Sequence, residues 1–131
     1  MLKNIPKIVS PQLIKILCEM GHGDEIVIAD GNFPSETNGQ RVVRADGIGG
    51  EEMLDAVLSL IPLDTYATEN LLLMQTTNGD PTPTIWDKYF AIAKNTTTIF
   101  APVIWNVSRS MKELKRLTRS SQRVKAQFTP T

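Results

Sequence analysis

The single histidine of this 131-residue chain lies in a sequence that favours acid–base chemistry. His22 stands between Gly21 and Gly23, and glycine neighbours leave an imidazole sterically open. A helical pattern of apolar residues ends just before it, and a helix C-terminus favours a protonated imidazole. His22 is therefore a candidate proton donor near neutral pH. The alternative is that its ring caps the helix by hydrogen-bonding the last carbonyl groups.

Two aspartates stand where an apolar stretch gives way to a loop. Asp30 follows the β-branched run 26–29, and Asp64 follows the dipeptide 62–63. Open α/β sheets commonly place ligand-binding carboxylates at such positions, and a carboxylate accepts hydrogen bonds from several sugar hydroxyls. The alternative for each residue is a turn-forming or capping aspartate. Asp30 and Asp64 are therefore candidate binding residues.

The composition excludes several other kinds of site. Cys18 and His22 are the only cysteine and histidine, whereas a zinc site built from thiolates and imidazoles takes three or four such ligands. The glycine cluster at 47–50 lacks the spacing and the lysine of a phosphate-binding loop. The apolar run 71–74 is far shorter than the roughly 20 residues that cross a bilayer. Since no signal peptide is recognisable either, we expect a cytoplasmic location and no membrane partner.

The elements that must position these residues alternate between helix and strand. Ser10 and Pro11 open a helix with apolar residues three and four apart, and Pro62 ends a second helix with the same spacing. A third helix is predicted at 85–94, and strands are predicted at 25–30, 41–44, 71–76 and 97–104. This alternation predicts a single α/β layered domain with helices packed on a mainly parallel or mixed sheet.

The net charge of zero conceals two unlike parts. Residues 1–100 carry seven Lys and Arg against thirteen Asp and Glu, a balance of −6, whereas residues 101–131 carry seven against one, a balance of +6. Such a shift is unusual in a chain of single-domain length. We therefore divide the chain into a domain at 1–104 and an atypical basic tail at 105–131.

Several segments of the domain carry a resemblance to a known family. They are Met20-Gly21-His22-Gly23-Asp24-Glu25, Ile28-Ala29-Asp30, Asn32-Phe33-Pro34, Arg44-Ala45-Asp46-Gly47 and Pro62-Leu63-Asp64-Thr65-Tyr66. Together they resemble the fucose mutarotase branch of the ribose pyranase and fucose mutarotase family. The similarity runs in order from Met1 to about residue 104.

The resemblance implies a function for the candidate residues. It makes His22 the catalytic proton donor and Asp30 and Asp64 residues that bind a monosaccharide. The implied enzyme is an isomerase that interconverts the α and β anomers of L-fucose or a related pyranose by acid–base ring opening and reclosure. It also implies a small α/β subunit in a homo-oligomer, with no metal and no cofactor.

The tail departs from the family after Ile104. The family continues with a Tyr-Glu-Arg-Ala helix and a Tyr-x-Asn segment that supplies a catalytic tyrosine. Regrouping the codons behind residues 105–131 by one base allows a spelling of that segment, so we infer that the tail is out of frame. We expect it to be a mostly exposed extension with at most a short helix around Met111, Leu114 and Leu117. We also expect the chain as given to fold poorly or to be inactive.

A second interpretation belongs to a different functional class. The chain could be a non-catalytic sugar-binding or assembly subunit that has lost the catalytic C-terminus and uses the basic tail for contacts. A nucleic-acid partner is disfavoured, because the positive charges at 109–125 lack the interleaved aromatic residues that single-strand binding uses.

Overall fold

Helices and strands alternate along most of the chain. The computed structural model describes residues 2–39, 41–76, 79–97, 100–105 and 124–127. The helices are α1 (Pro11–Glu19), α2 (Ser35–Asn38), α3 (Gly50–Leu58) and α4 (Ile85–Thr96). The strands are β1 (Ile26–Ala29), β2 (Arg41–Arg44), β3 (Leu71–Met74), β4 (Pro102–Trp105) and β5 (Val124–Gln127). The predicted α/β fold class is confirmed.

The strands form two parallel sheets. The first has the order β1-β5-β2, and its register places Val124 opposite both Ile26 and Arg41. The second consists of β3 and β4, with Leu71 opposite Pro102. Parallel strands need crossover connections, and helices supply these between β1 and β2 and between β3 and β4.

The hydrophobic core lies where α1 and α3 meet the first sheet. Ser10 caps α1 as predicted, because its Oγ accepts a hydrogen bond from the Leu13 N–H at 3.2 Å. The buried residues of the cluster recur at helical spacing on both helices, and β2 adds Val43. They are Val9, Leu13, Ile16, Leu17, Val43, Met53, Ala56 and Val57. This packing fixes the loops that follow α1 and α3.

Helix α4 packs on α3 through a close approach at a glycine. The Tyr89 hydroxyl lies only 2.8 Å from the position that a Cβ on Gly50 would occupy, so a side chain there would displace the ring. The Lys88 ammonium pairs with the Glu51 carboxylate at 2.9 Å on the same side of α3. The first turn of α3 is therefore held against the middle of α4.

The structure corrects the expectation for part of the tail. Residues 124–127 were expected in an exposed extension, but they form β5 between β1 and β2. Two physical reasons favour the strand: the segment Val-Lys-Ala-Gln alternates apolar and polar residues, and a sheet ladder uses backbone groups that every residue except proline provides. The helix predicted around residues 111–117 lies outside the described residues.

Other elements also differ from the sequence predictions. The third strand ends at Met74 rather than at 76, and β4 begins at Pro102 rather than at 97. The short helix α2 was not predicted. Its N-cap, Pro34, makes no side-chain capping hydrogen bond, so the usual sequence signal for a helix start is missing.

Truncation tests whether β5 holds the first sheet together. A chain that ends at residue 123 leaves β1 and β2 without the strand between them, and each lost backbone hydrogen bond costs about 0.5–1.5 kcal/mol. We expect a clear fall in the thermal midpoint relative to the full chain. A chain that ends at residue 127 keeps β5 and is the matched control. Equal midpoints for the two truncated chains would contradict the central position of β5.

Candidate functional site

A cavity of about 840 Å³ runs between β1 and β3 and reaches the loops that follow α1 and α3. All three residues predicted from the sequence line it, namely His22, Asp30 and Asp64. Apolar side chains of both strands form much of its wall. A cavity with a few polar groups on an apolar wall is the usual form of a small-molecule site.

The structure brings His22 and Asp64 together across 42 residues of sequence. The Nδ1 atom of His22 lies 3.2 Å from Oδ1 of Asp64. The imidazole is 77% exposed, whereas the carboxylate is only 23% exposed. Within the described part of the chain, the ring makes no hydrogen bond to a carbonyl of α1. The capping alternative for His22 is therefore not what this structure adopts.

The glycines around His22 shape the loop that carries it. Gly23 has a φ of +81°, a conformation that residues with a Cβ rarely adopt. Its N–H donates to Oδ2 of Asp64 at 3.3 Å, and the Gly21 N–H donates to Oδ2 of Asp24 at 2.9 Å. The loop thus presents the imidazole and a backbone donor to the same carboxylate.

Asp64 also organises its own loop. Its Oδ1 accepts a hydrogen bond from the Tyr66 N–H at 2.9 Å, as in an Asx turn. This backbone bond, with smaller contributions from His22 and Gly23, lowers the pKa of Asp64 below its ordinary value of 3.8, although desolvation opposes the shift. The carboxylate is therefore ionised at neutral pH and linked to both loops. Asp64 therefore forms a turn, as the alternative interpretation predicted, and also contacts His22.

Asp30 lies at the other end of β1. The four residues of β1 stand between it and the His22 loop, which at about 3.3 Å per residue corresponds to about 13 Å. Its Oδ1 accepts hydrogen bonds from the N–H groups of Asn32 at 2.8 Å and Phe33 at 3.1 Å, so Asp30 does form a turn. Among the residues that the structure describes, no group hydrogen-bonds its Oδ2. One oxygen of Asp30 therefore stays available for a ligand in the cavity.

Two aromatic residues at the site have no role in the sequence analysis. The ring of Tyr66 packs edge-to-face on the ring of His22, with centroids 5.1 Å apart and planes at 87°. Tyr89 lines the cavity and is part-buried, and this burial, with the nearby charge of Glu51, raises its pKa above 10.0. The Asp-x-Tyr spacing of an Asx turn was the available signal for Tyr66. The helical spacing of Trp86, Tyr89 and Phe90 is more typical of a core face than of a binding site, so no local pattern points to Tyr89.

A match over nearly the whole chain identifies its family. The model of the RbsD / FucU transport protein family matches residues 3–126. This chain belongs to that family. The resemblance found in the sequence is confirmed, and the match extends beyond residue 104 into β5.

Similar proteins include fucose mutarotases. The L-fucose mutarotase of Actinobacillus pleuropneumoniae serotype 5b (strain L20) is 42% identical over 95 residues, which are 72% of this chain and 66% of that protein. The fucose mutarotase of Bos taurus is 44% identical over 99 residues, covering 70% of this chain and 64% of that protein. The matches thus span about two thirds of the length of these curated relatives.

A solved structure extends the similarity to the fold. The fucose mutarotase from Streptococcus pneumoniae, determined in complex with L-fucose, has a TM-score of 0.85 and 36% sequence identity to this chain. That comparison covers 96% of this chain and 88% of the other. Within the described residues, no helix has the length and apolar character that would let it cross a membrane.

The lowered pKa of Asp64 gives a testable pH dependence of stability. Because the folded pKa lies below the unfolded value, the ionised carboxylate stabilises the fold above about pH 3.8, and this contribution is lost as the pH falls through the folded pKa. We expect Asp64→Asn to flatten the fall in the free energy of unfolding between about pH 5 and pH 2. Urea titrations at several pH values measure this.

The matched control for this series is His22→Ala. It removes one bond to Asp64 but keeps the N–H donors of Tyr66 and Gly23, so its pH dependence should lie between those of the parent and of Asp64→Asn. Parallel curves for the parent and Asp64→Asn would show that the carboxylate contributes nothing to acid stability.

Proposed function

We propose that the cavity between β1 and β3 is a mutarotase site, which binds L-fucose or a closely related pyranose and interconverts its anomers in a chain whose C-terminus is restored to the family sequence. The observation that carries the proposal is the hydrogen bond between the sole histidine and Asp64 at the edge of a cavity that also contains Asp30. The names of the similar proteins support the substrate class, since all three are fucose mutarotases and one of them was solved with L-fucose.

The reaction needs only proton transfers. Ring opening breaks the bond between the anomeric carbon and the ring oxygen. The proton of the anomeric hydroxyl passes to a base, which is water or the catalytic tyrosine that the resemblance implies, and the ring oxygen gains a proton. The free aldehyde then recloses on its other face. His22 gives the proton to the ring oxygen. A positioned acid of this kind contributes about 10² to 10⁴ in rate. Reclosure runs the same transfers backwards, so the imidazole is restored within one cycle.

Asp64 selects the nitrogen of His22 that works on the sugar. Its carboxylate accepts a hydrogen bond from Nδ1–H, so Nε2 is the nitrogen that faces the substrate. The form that gives a proton from Nε2 is the imidazolium, in which both ring nitrogens carry a proton. Asp64 therefore acts by orienting His22 as well as by belonging to the sugar pocket that the resemblance implies.

Asp30 binds the sugar away from the reacting centre. Its free Oδ2 accepts hydrogen bonds from hydroxyl groups, and its Oδ1 is held by two backbone N–H groups, so the carboxylate is preorganised. The four residues of β1, about 13 Å in length, separate Asp30 from the His22 loop, so Asp30 binds hydroxyl groups at the far end of the cavity.

The assembly, the location and the tail stay predictions. We infer a homo-oligomer, as the family resemblance implies, a cytoplasmic location, and a tail at 105–131 that is out of frame. The chain as given then lacks the catalytic tyrosine of the family and has low or no activity. Sugar binding without anomer exchange would favour the alternative of a non-catalytic binding subunit.

Substitution of His22 and Asp30 tests the assignment in a chain whose C-terminus is restored to the family sequence. His22→Ala should lower anomer exchange by at least about tenfold, a cautious floor for losing a positioned acid. Asp30→Asn should weaken sugar binding, because it replaces a carboxylate acceptor by an amide that also donates. Magnetisation-transfer NMR between the two anomers of fucose measures both effects.

The control is the same exchange measurement on the 131-residue chain. Exchange there at the rate of the restored chain would refute the expectation that the tail abolishes activity. Exchange in folded His22→Ala at the parental rate would refute the catalytic role of His22.

A further inference from the structure

Tyr66 is an aromatic residue that the hydrophobic core does not explain. Its exposed fraction is 84%, the largest among the exposed large apolar and aromatic side chains of the described residues. Its ring nevertheless packs against a specific neighbour, the imidazole of His22, which is itself mostly exposed. A contact between two exposed rings contributes little to the stability of the fold. The position of this ring therefore calls for a local explanation at the site.

Tyr66 is also linked to His22 through one oxygen atom of Asp64. Oδ1 of Asp64 accepts the Tyr66 N–H at 2.9 Å and lies 3.2 Å from Nδ1 of His22. The backbone of Tyr66 is thus fixed relative to the acceptor of the imidazole. Its ring then meets the imidazole at 87°, the edge-to-face arrangement that aromatic pairs prefer.

The two contacts restrain different motions of His22. A single hydrogen bond at Nδ1 limits the distance to Asp64 but leaves the ring free to swing about that bond. An aromatic neighbour at 5.1 Å limits that swing. Because His22 is flanked by two glycines and its side chain is 77% exposed, its own loop provides little steric restraint.

We propose that Tyr66 is a positioning residue that holds the His22 imidazole in the orientation set by Asp64. The role rests on the proposed function, in which Nε2 of His22 gives a proton to the sugar. The phenol hydroxyl has no part in it, because the aromatic ring makes the contact. Tyr66→Phe therefore keeps the ring contact with His22. Tyr66→Ala removes the ring but leaves the hydrogen bond from the backbone N–H to Asp64 in place.

The direct test is NMR of the 131-residue chain and does not depend on activity. The sequence has a single histidine, so the imidazole signals of His22 are unambiguous. We expect cross-relaxation between the rings of His22 and residue 66 in the parent and in Tyr66→Phe. We also expect the pKa of Asp64 to rise in Tyr66→Ala, because the imidazole leaves its carboxylate. In a His22→Ala background, the change at Tyr66 should no longer move this pKa.

Anomer exchange, measured in the chain with the restored C-terminus, supplies the second readout. Tyr66→Ala should lower the maximal exchange rate about three- to tenfold and leave the half-saturating sugar concentration unchanged, since the ring acts on His22 and not on the sugar. Tyr66→Phe should restore the parental rate. A raised half-saturating concentration with an unchanged maximal rate would overturn the proposal and make Tyr66 a sugar contact.

The outcomes separate this proposal from the proposed function. An Asp64 pKa in Tyr66→Ala equal to that of the parent, with intact folding, overturns the positioning role even if the protein exchanges anomers. If the NMR changes appear as expected but the chain with the restored C-terminus shows no anomer exchange, the positioning of His22 is supported and the mutarotase function is contradicted.

Discussion

The site depends on one carboxylate that accepts three hydrogen bonds. Asp64 accepts hydrogen bonds from the N–H groups of Gly23 and Tyr66, and its Oδ1 lies against Nδ1 of His22. The loop after α3 and the loop after α1 therefore meet at its two oxygens. A carboxylate suits this place because both oxygens accept and neither donates. An aspartate also has a side chain short enough to close an Asx turn on its own loop. Few other residue types could satisfy both requirements.

The fold provides the rigid frame that this contact needs. Helices α1 and α3 bury their apolar faces in one core, in which Leu13, Met53 and Val57 are almost completely inaccessible. Packing of that density leaves little freedom for the helix ends. His22 stands three residues after the end of α1 and Asp64 six residues after the end of α3, and β1 connects the His22 loop to Asp30. The core therefore fixes where the two loops begin, and the contacts of Asp64 fix the side chains within them.

The sequence predicted the local helices and strands better than the contacts between residues that are distant in sequence. The cap at Ser10, the apolar spacing of α1 and α3 and the β-branched run of β1 depend on residues within a few positions of each other, and these predictions are confirmed. The contact between His22 and Asp64 spans 42 residues, so no local pattern encodes it. The family resemblance placed both residues in one site, but it did not predict that the carboxylate would hold the imidazole and the Tyr66 turn together.

The tail shows why a strand and a catalytic group differ in their dependence on sequence. The ladder of β5 with β1 and β2 uses backbone N–H and C=O groups, which a change of reading frame leaves in place. A catalytic phenol or a sugar-binding amide depends on the side chain, which a change of frame replaces. If residues 105–131 are out of frame, the sheet can therefore keep its central strand while the site loses the groups that the tail contributed. The proposed function then rests on His22, Asp30 and Asp64, all of which lie in the first 104 residues.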